Sequence, residues 1–216
     1  MTCRHCVEAA DLFGDRIARH ELKRYRRRGP ARSTRLLLAA FPDASVRDAH
    51  LLDIGGGIGA IQHDVLERGA ARVTAVDASP AYLSAAAAEA ARRGTVDRVE
   101  YLQGDAVELA PELPMADLVT LDRVLCCYPD MPALVEASAS RAGTSWGVVF
   151  PRESWWVRLG VGAINLFQRL RRKEFRVYLH GRDRIAAEAR RHGLVPSFGA
   201  RTFVWEVRVF RRQDPS

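Results

Sequence analysis

The sequence predicts an α/β fold with a doubly wound, seven-stranded sheet, in which five parallel strands are followed by a C-terminal antiparallel hairpin. Three observations support this prediction. Short β-type runs alternate with helical runs from residue 50 onward, and a glycine-rich turn follows the first of these strands. The chain closes with two β-rich runs, 195–203 and 204–212, that leave no room for a crossover helix, so these two strands must pair antiparallel.

Each element follows from its local pattern. The strands are predicted from apolar, β-branched runs and the helices from apolar spacing of three and four. In order, the predicted elements are strand 50–54, helix 60–69, strand 72–78, helix 79–94, strand 98–105, strand 116–125, helix 131–143, strand 145–151 and helix 181–193. Ser79 and Pro80 match the capping and first-turn positions of their helix. Residues 152–181 form an insertion that the sheet does not require.

A helical arm is predicted at the N-terminus. Residues 8–28 carry apolar side chains at helical spacing, including Tyr25, up to the break at Gly29 and Pro30. The segment STRLLLAAF forms a second helix, for which Ser33 or Thr34 is the expected cap. We therefore divide the chain into an arm at 1–44 and a domain at 45–216.

Composition limits the classes of protein. The chain has 216 residues, of which 48% are hydrophobic, enough for one sizeable core. It carries a formal charge of +7, which is compatible with nucleic acid, an anionic membrane or an acidic small molecule as partner. No signal peptide is recognised and the four cysteines suggest reduced thiols, so we expect a cytoplasmic protein. Cys3 and Cys6 have metal-ligand spacing but form only half a site, so no metal is expected.

The turn after the first strand, DIGGGIGA, combines an acid with closely spaced glycines: Asp53, Gly55, Gly57 and Gly59. Glycines in such a turn cost backbone entropy, so the turn must need space that a Cβ would fill. A ligand lying against this backbone explains the need, and the following helix N-terminus favours a negative group on that ligand. The pattern also satisfies the G-x-G-x-x-A form of nicotinamide enzymes, which we keep as an alternative.

Acidic residues end three further strands. Asp77, followed by Ala78, comes about twenty residues after the glycines, where an acid can accept hydrogen bonds from ribose hydroxyls. Asp105 is placed to accept a hydrogen bond from an exocyclic amine, and Asp122 ends the fourth strand. Shortly after it, Tyr128 is the best candidate for contact with a substrate. Ligands of such sheets bind at these strand ends.

These strand ends resemble the class I S-adenosylmethionine-dependent methyltransferases. The first motif of that family, an acid followed by G-x-G-x-G, is matched by Asp53 and the three glycines of the turn. The ribose-binding acid is matched by Asp77, and the adenine-contacting acid by Asp105 with Ala106 beside it. The resemblance implies a Rossmann-like fold, S-adenosyl-L-methionine as cofactor and in-line methyl transfer. Asp122 is expected to serve both the cofactor and the reaction.

A narrower resemblance is to the Mg-protoporphyrin O-methyltransferases. In that family a helical arm carries a tyrosine that closes over the cofactor, which Tyr25 would match, and a His-Tyr-Pro follows the fourth strand. Here Cys127 replaces the histidine, before Tyr128 and Pro129. This difference removes the obvious acid–base group and counts against a porphyrin substrate. The expected substrate is a small hydrophobic or acidic molecule methylated on oxygen, with Tyr128 and Asp122 as catalytic residues.

The insertion carries the remaining predictions. As a helix, it places Trp155, Leu159, Leu166 and Leu170 in one stripe, which would form a lid over the crevice or a peripheral membrane contact through residues 154–173. Nucleic acid is not expected, although an RNA-binding methyltransferase stays open as an alternative. The basic runs lack the interleaved aromatic residues that stack on bases.

Overall fold

The computed structural model describes residues 14–213. Cys3 and Cys6 therefore lie outside the described residues. The helices are α1 (Asp15–Arg28), α2 (Arg32–Ala39), α3 (Asp43–Val46), α4 (Ala60–Glu67), α5 (Pro80–Arg93), α6 (Met131–Ala139), α7 (Trp155–Leu170) and α8 (Arg182–Arg191). The strands are β1 (His50–Ile54), β2 (Arg72–Asp77), β3 (Val99–Gln103), β4 (Ala116–Asp122), β5 (Ala142–Pro151), β6 (Leu194–Arg201) and β7 (Trp205–Arg212).

The seven strands form one sheet in the order β3-β2-β1-β4-β5-β7-β6. Strands β1 to β5 are parallel, and β7 lies antiparallel between β5 and β6. Six strands thus run in one direction and β7 runs against them. The predicted fold class is confirmed, and the C-terminal hairpin forms one edge of the sheet. The strand order reverses between β1 and β4, the point at which ligands bind in such sheets.

Apolar side chains cover both faces of the sheet. On one face, Leu134 of α6 and Ile185 of α8 pack with Trp146 of β5 in a single buried cluster. On the other face, Leu37 of α2 and Val65 of α4 belong to a second cluster. Each fully buried side chain of this size contributes about 1.5–3 kcal/mol. The two cores hold the strand ends at fixed positions relative to one another.

The two arm helices pack differently. Tyr25 of α1 lies against Tyr82 of α5 in a third buried cluster, and Arg26 donates to the buried carboxylate of Glu89 at 2.8 Å. Helix α2 instead contributes Leu37 to the core of the sheet. The division of the chain at residues 44 and 45 stays a prediction.

The expected caps have different outcomes. Ser79 accepts a hydrogen bond from the backbone N–H of Tyr82 at 3.2 Å, with Pro80 opening the helix, as predicted. The predicted cap of α2 is wrong, because that helix begins at Arg32 with Ala31 in the N-cap position and no side-chain cap. Thr34 therefore lies inside the first turn, where it is buried and available for another contact.

The insertion contains α7, and none of the helices in the described part of the chain is long and apolar enough to cross a bilayer. The segment after α7 is held in place by hydrogen bonds. Asn165 donates to the carbonyl of Val177 and accepts from its N–H, both at 2.8 Å, and the N–H of Tyr178 donates to the carbonyl of Cys126 at 2.7 Å. The insertion is thus fixed to the loop after β4, beside the strand ends.

Candidate active site

A cavity of about 490 Å³ opens at the carboxyl ends of the strands around the switch point. Most of the predicted site residues line it. They are Tyr25, Gly55, Gly57, Asp77, Ala78, Asp105, Ala106, Asp122 and Tyr128. Asp53 and Gly59 are the two predicted binding residues that are not among the lining residues. The topology therefore brings together side chains from α1, the glycine turn and the ends of β2, β3 and β4.

The three motif glycines have different roles in the turn. All have positive φ values, 64° at Gly55, 56° at Gly57 and 80° at Gly59, where a side chain would be strained. A Cβ at Gly55 would overlap Val124, whereas one at Gly57 would have only the Tyr82 ring, at 3.8 Å, near it. Gly57 therefore leaves its space open for a ligand. At Gly59 a Cβ would lie 2.9 Å from His63 Nε2, so this glycine serves the packing of α4 instead.

Asp53 lies beneath the glycine turn and is not among the residues that line the cavity, so its contact with the cofactor stays a prediction. Its side chain is fully buried and accepts hydrogen bonds from Thr120 at 2.7 Å and Gln62 at 3.3 Å. A Cβ on Gly56 would overlap the carboxyl group. Burial raises the pKa of Asp53 to about 7, against the effect of the two hydrogen bonds. The group supports the turn from below.

Asp77 is held by backbone donors. One carboxylate oxygen accepts from the N–H of Gly57 at 3.0 Å and the other from the N–H of Ser79 at 2.8 Å. Burial raises the pKa of Asp77, and these two bonds oppose that effect. A carboxylate has about four acceptor positions, so two remain for a ligand. The side chain is therefore pre-oriented toward the cavity and ties the glycine turn to the start of α5.

Asp105 is hydrogen-bonded to Tyr128, the residue that we expected to contact the substrate. The hydroxyl of Tyr128 donates to Asp105, with both carboxylate oxygens 3.0 Å away, and the N–H of Val107 donates to Oδ1 at 2.9 Å. Tyr128 thus lies at the end of the cavity marked by the acid of β3. The contact joins residues 23 positions apart, which the motif spacing does not reveal.

Asp122 belongs to a polar group on another part of the wall. The Thr34 hydroxyl donates to one of its oxygens at 2.5 Å, and the Arg123 guanidinium donates to the other at 3.1 Å. The guanidinium also lies 6.0 Å from the Trp205 ring centre, and φ at Arg123 is 66°. All four residues line the cavity. Thr34, Arg123 and Trp205 were not predicted as site residues, and no sequence motif connects them.

Cys126 and Cys127 also line the cavity, on the short turn after β4. Their sulfur atoms are 3.8 Å apart, and each contacts the carbonyl of Arg123. His180, from the insertion, contacts the carbonyl of Tyr128 at 3.0 Å, and burial lowers its pKa. The imidazole is thus used to fix this turn.

The rest of the wall is apolar and comes largely from the insertion. Its side chains are Val157, Val161, Ile164, Phe175, Val177, Val204 and Trp205. Helix α7 therefore covers the crevice, as expected, but not with the expected face. The stripe of Trp155 and Leu159 points to solvent, and Val157 and Val161, on the opposite side of the helix, face the cavity.

Comparisons with known proteins agree with this geometry. Residues 51–141 match a family model described as a methyltransferase domain. A search of curated proteins found no match. The matched residues run from β1 to the end of α6 and include the glycine turn. The family prediction made from the strand-end motifs is thereby confirmed, and a nicotinamide oxidoreductase is set aside.

Several solved structures share the fold over most of this chain. Magnesium protoporphyrin IX methyltransferase from Synechocystis PCC 6803, with bound S-adenosylhomocysteine (SAH), has a TM-score of 0.69 at 18% identity, covering 84% of this chain and 82% of its own. An O-methyltransferase family protein from Burkholderia thailandensis has a TM-score of 0.68 at 16% identity, covering 85% of this chain and 57% of its own. Geranyl diphosphate C-methyltransferase from Streptomyces coelicolor, crystallised with SAH, has a TM-score of 0.64 at 16% identity, covering 83% and 78%.

The residues around the glycine turn fit S-adenosylmethionine. Gly57 leaves open space beside the turn, Asp77 keeps two acceptor positions for ribose hydroxyls, and Asp105 can accept from an amine. Each of these groups is already fixed by a partner within the chain. The acceptor molecule is not defined by the fold, because the neighbours named above methylate different molecules.

Proposed function

We propose that this protein is an S-adenosylmethionine-dependent methyltransferase that methylates an oxygen atom of a small hydrophobic or acidic molecule. The observation that carries the proposal is the pair of backbone bonds on Asp77. They place a pre-oriented carboxylate beside a turn whose Gly57 leaves room for a ligand. The sulfonium of the cofactor supplies an activated methyl group when bound, so the chain has to bind and align the acceptor.

The cofactor end of the crevice is assigned to the glycine turn, Asp77 and Asp105. Tyr128 is assigned a positioning role, since its hydroxyl holds the Asp105 carboxylate at 3.0 Å. Tyr25 closes the same end from α1, where its ring lies 5.3 Å from the Arg93 guanidinium. This arrangement keeps Tyr25, Gly57, Asp77 and Asp105 of the expected cofactor residues at the cofactor end, with Asp53 supporting them from beneath.

The acceptor end is assigned to Asp122 and the apolar wall. The large apolar surface from Val157 to Trp205 favours a hydrophobic molecule, and Arg123 supplies a cation beside it. A carboxylate or phenolate acceptor needs no strong base, and Asp122 with Thr34 can orient a hydroxyl acceptor. Holding the nucleophile in line at near-attack distance supplies about 7–11 kcal/mol of the barrier. An RNA substrate is disfavoured, because the wall offers mostly aliphatic side chains for contact with a base.

Titration calorimetry with S-adenosylhomocysteine tests the cofactor assignment. Asp77→Asn keeps the size of the side chain but has one acceptor oxygen, so its affinity is expected to fall by at least about tenfold, the value of one charged hydrogen bond. Asp97→Asn, at an exposed position, is the matched control. No binding by the native protein, or equal binding by Asp77→Asn, contradicts the proposal.

Product analysis tests the acceptor assignment. The protein is incubated with S-adenosylmethionine and a panel of aromatic and aliphatic carboxylates and phenols, and products are identified by mass spectrometry. O-methylated products are expected, with Arg123→Gln raising KM for the acidic acceptors. Methylation of RNA, or of nitrogen alone, would refute this part of the proposal.

A further inference from the structure

Helix α7 is apolar on two opposite faces. One face, with Val157 and Val161, lines the crevice. The other faces solvent although its side chains are large and apolar. Its exposed members are Trp155, Leu159, Leu166, Phe167 and Leu170, with exposed fractions between 53% and 75%. Soluble proteins seldom expose a contiguous apolar face of this kind without a partner for it.

A sixth exposed side chain extends this face beyond the helix. Phe203, in the turn between β6 and β7, is 75% exposed and stacks on Trp156, with ring centres 5.6 Å apart. The indole N–H of Trp156 donates to the Phe203 carbonyl at 3.4 Å. Helix and turn are thus joined. We call the exposed apolar side chains of α7, together with Phe203, the outer apolar face.

The charged side chains within α7 and in the three residues after it are all basic. Residues 154–173 contain five basic side chains and no acidic one. Arg158 lies near the start of α7, 3.9 Å from Glu153, and four basic residues follow at its end. These are Arg169, Arg171, Arg172 and Lys173. The guanidinium of Arg171 lies over the exposed Phe167 ring at 4.4 Å.

We propose that the outer apolar face docks on an anionic membrane surface, with α7 lying in the plane of the interface. Interfacial helices combine an apolar face that enters the headgroup boundary with basic residues that contact anionic lipids, and tryptophan is favoured at that depth. The 16 residues of α7 are too few to span a bilayer but enough to lie on one.

A second copy of the chain fits the outer apolar face less well than lipid does. A two-fold interface brings the same patch of each copy together. It offers the basic residues at the end of α7 no counter-charge from the same segment of the other copy, because residues 154–173 contain no acidic side chain. An anionic membrane offers an apolar boundary to the exposed side chains and negative headgroups to the basic residues. In the docked orientation, the crevice lies on the other side of the same helix, so a lipid-dissolved acceptor has a short path to it.

Vesicle binding tests the proposal without cofactor or substrate, so its outcome does not depend on the proposed function. The full chain is mixed with vesicles of phosphatidylcholine alone or with about a third phosphatidylglycerol, and binding is measured by flotation. Binding to the anionic vesicles and a blue shift of tryptophan fluorescence are expected, with most of the shift lost in Trp155→Phe. Replacing Arg169, Arg171 and Arg172 by Gln should weaken the binding about a hundredfold, since each basic residue contributes about fivefold.

Leu166→Glu is the variant that decides the proposal. It introduces a charge on an exposed side chain of the outer apolar face, so the fold should persist, and binding should fall by more than about tenfold. Met115→Glu, at an exposed apolar position before β4, is the matched control and should bind normally. The proposal is overturned if the native chain ignores anionic vesicles or if Leu166→Glu binds as well as the control. A dimer that Leu166→Glu dissociates, without any vesicle binding, would assign the face to a second copy and equally overturn it.

Discussion

The unfolding free energy of Asp53→Asn should rise relative to that of the native protein as the pH increases. The carboxyl group is fully buried, with Thr120 and Gln62 as hydrogen-bond partners, and burial raises its pKa from 3.8 to about 7. In the unfolded chain the group ionises near pH 4, whereas in the folded protein it holds its proton to about pH 7. The native protein therefore loses stability between these two pH values. One pKa unit corresponds to about 1.4 kcal/mol, so the full loss is about 4 kcal/mol.

The measurement is urea unfolding of the native protein and of Asp53→Asn at pH 5 and pH 8. Asn has no charge to lose, so the difference in unfolding free energy should move in favour of the variant by about 3 kcal/mol between the two pH values. The cost of a mismatched hydrogen bond to Thr120 or Gln62 does not depend on pH and cancels. Asp97→Asn, at an exposed position, corrects for the loss of a negative charge in general. A constant difference between Asp53→Asn and the native chain at both pH values would refute the reasoning.

Three further predictions concern the turn, the arm and the acceptor end. Gly57→Ala should weaken S-adenosylhomocysteine binding by about tenfold or more in calorimetry, because its Cβ enters the space left for the ligand. Gly55→Ala should instead lower Tm by several degrees, because its Cβ overlaps Val124. Glu89→Gln should cost about 1.5–3 kcal/mol in unfolding at pH 7, the value of a charged hydrogen bond, since the buried carboxylate pairs with the partly exposed Arg26, Arg92 and Arg93. These arginines lower the pKa of Glu89, so its contribution is present above the ordinary glutamate pKa and is lost on acidification. An acid titration of native and variant should show this difference disappear. Thr34→Val removes the hydroxyl that donates to Asp122; it should raise KM for the acceptor in a methyl-transfer assay while leaving S-adenosylhomocysteine affinity unchanged.

The sheet was predictable because its signals are local. Alternation of strand and helix patterns fixes the parallel part, and two β-rich runs without a crossover fix the antiparallel end. The Ser79–Pro80 helix start was also predictable, since the cap hydrogen bond spans three residues. The start of α2 was not, because Ser33 and Thr34 both suit a cap while the extended Ala31 takes that position. Thr34 instead donates to Asp122, 88 residues further along the chain, and a local sequence pattern cannot predict such a distant contact.

The site was predictable where a motif has fixed spacing and unpredictable where contacts are distant. Asp77 follows the glycines at a set interval, and the structure places its carboxylate beside the turn, where it accepts from the Gly57 N–H. The contact between Tyr128 and Asp105 depends on how the loop after β4 folds back. Helix α7 shows a different difficulty. Its apolar side chains lie on opposite sides, so periodicity alone could not decide which stripe faces the crevice.

The polar groups of the crevice share one property that bears on catalysis. Asp77, Asp105 and Asp122 each accept hydrogen bonds from donors within the chain before any ligand arrives. Such groups need little reorganisation during a reaction, and pre-organised groups of this kind account for much of enzymatic catalysis. The apolar wall has no comparable network, because aliphatic side chains fill space without directional bonds. Changes in that wall should therefore alter which acceptor is methylated more readily than whether the cofactor binds, which separates specificity from chemistry within one cavity.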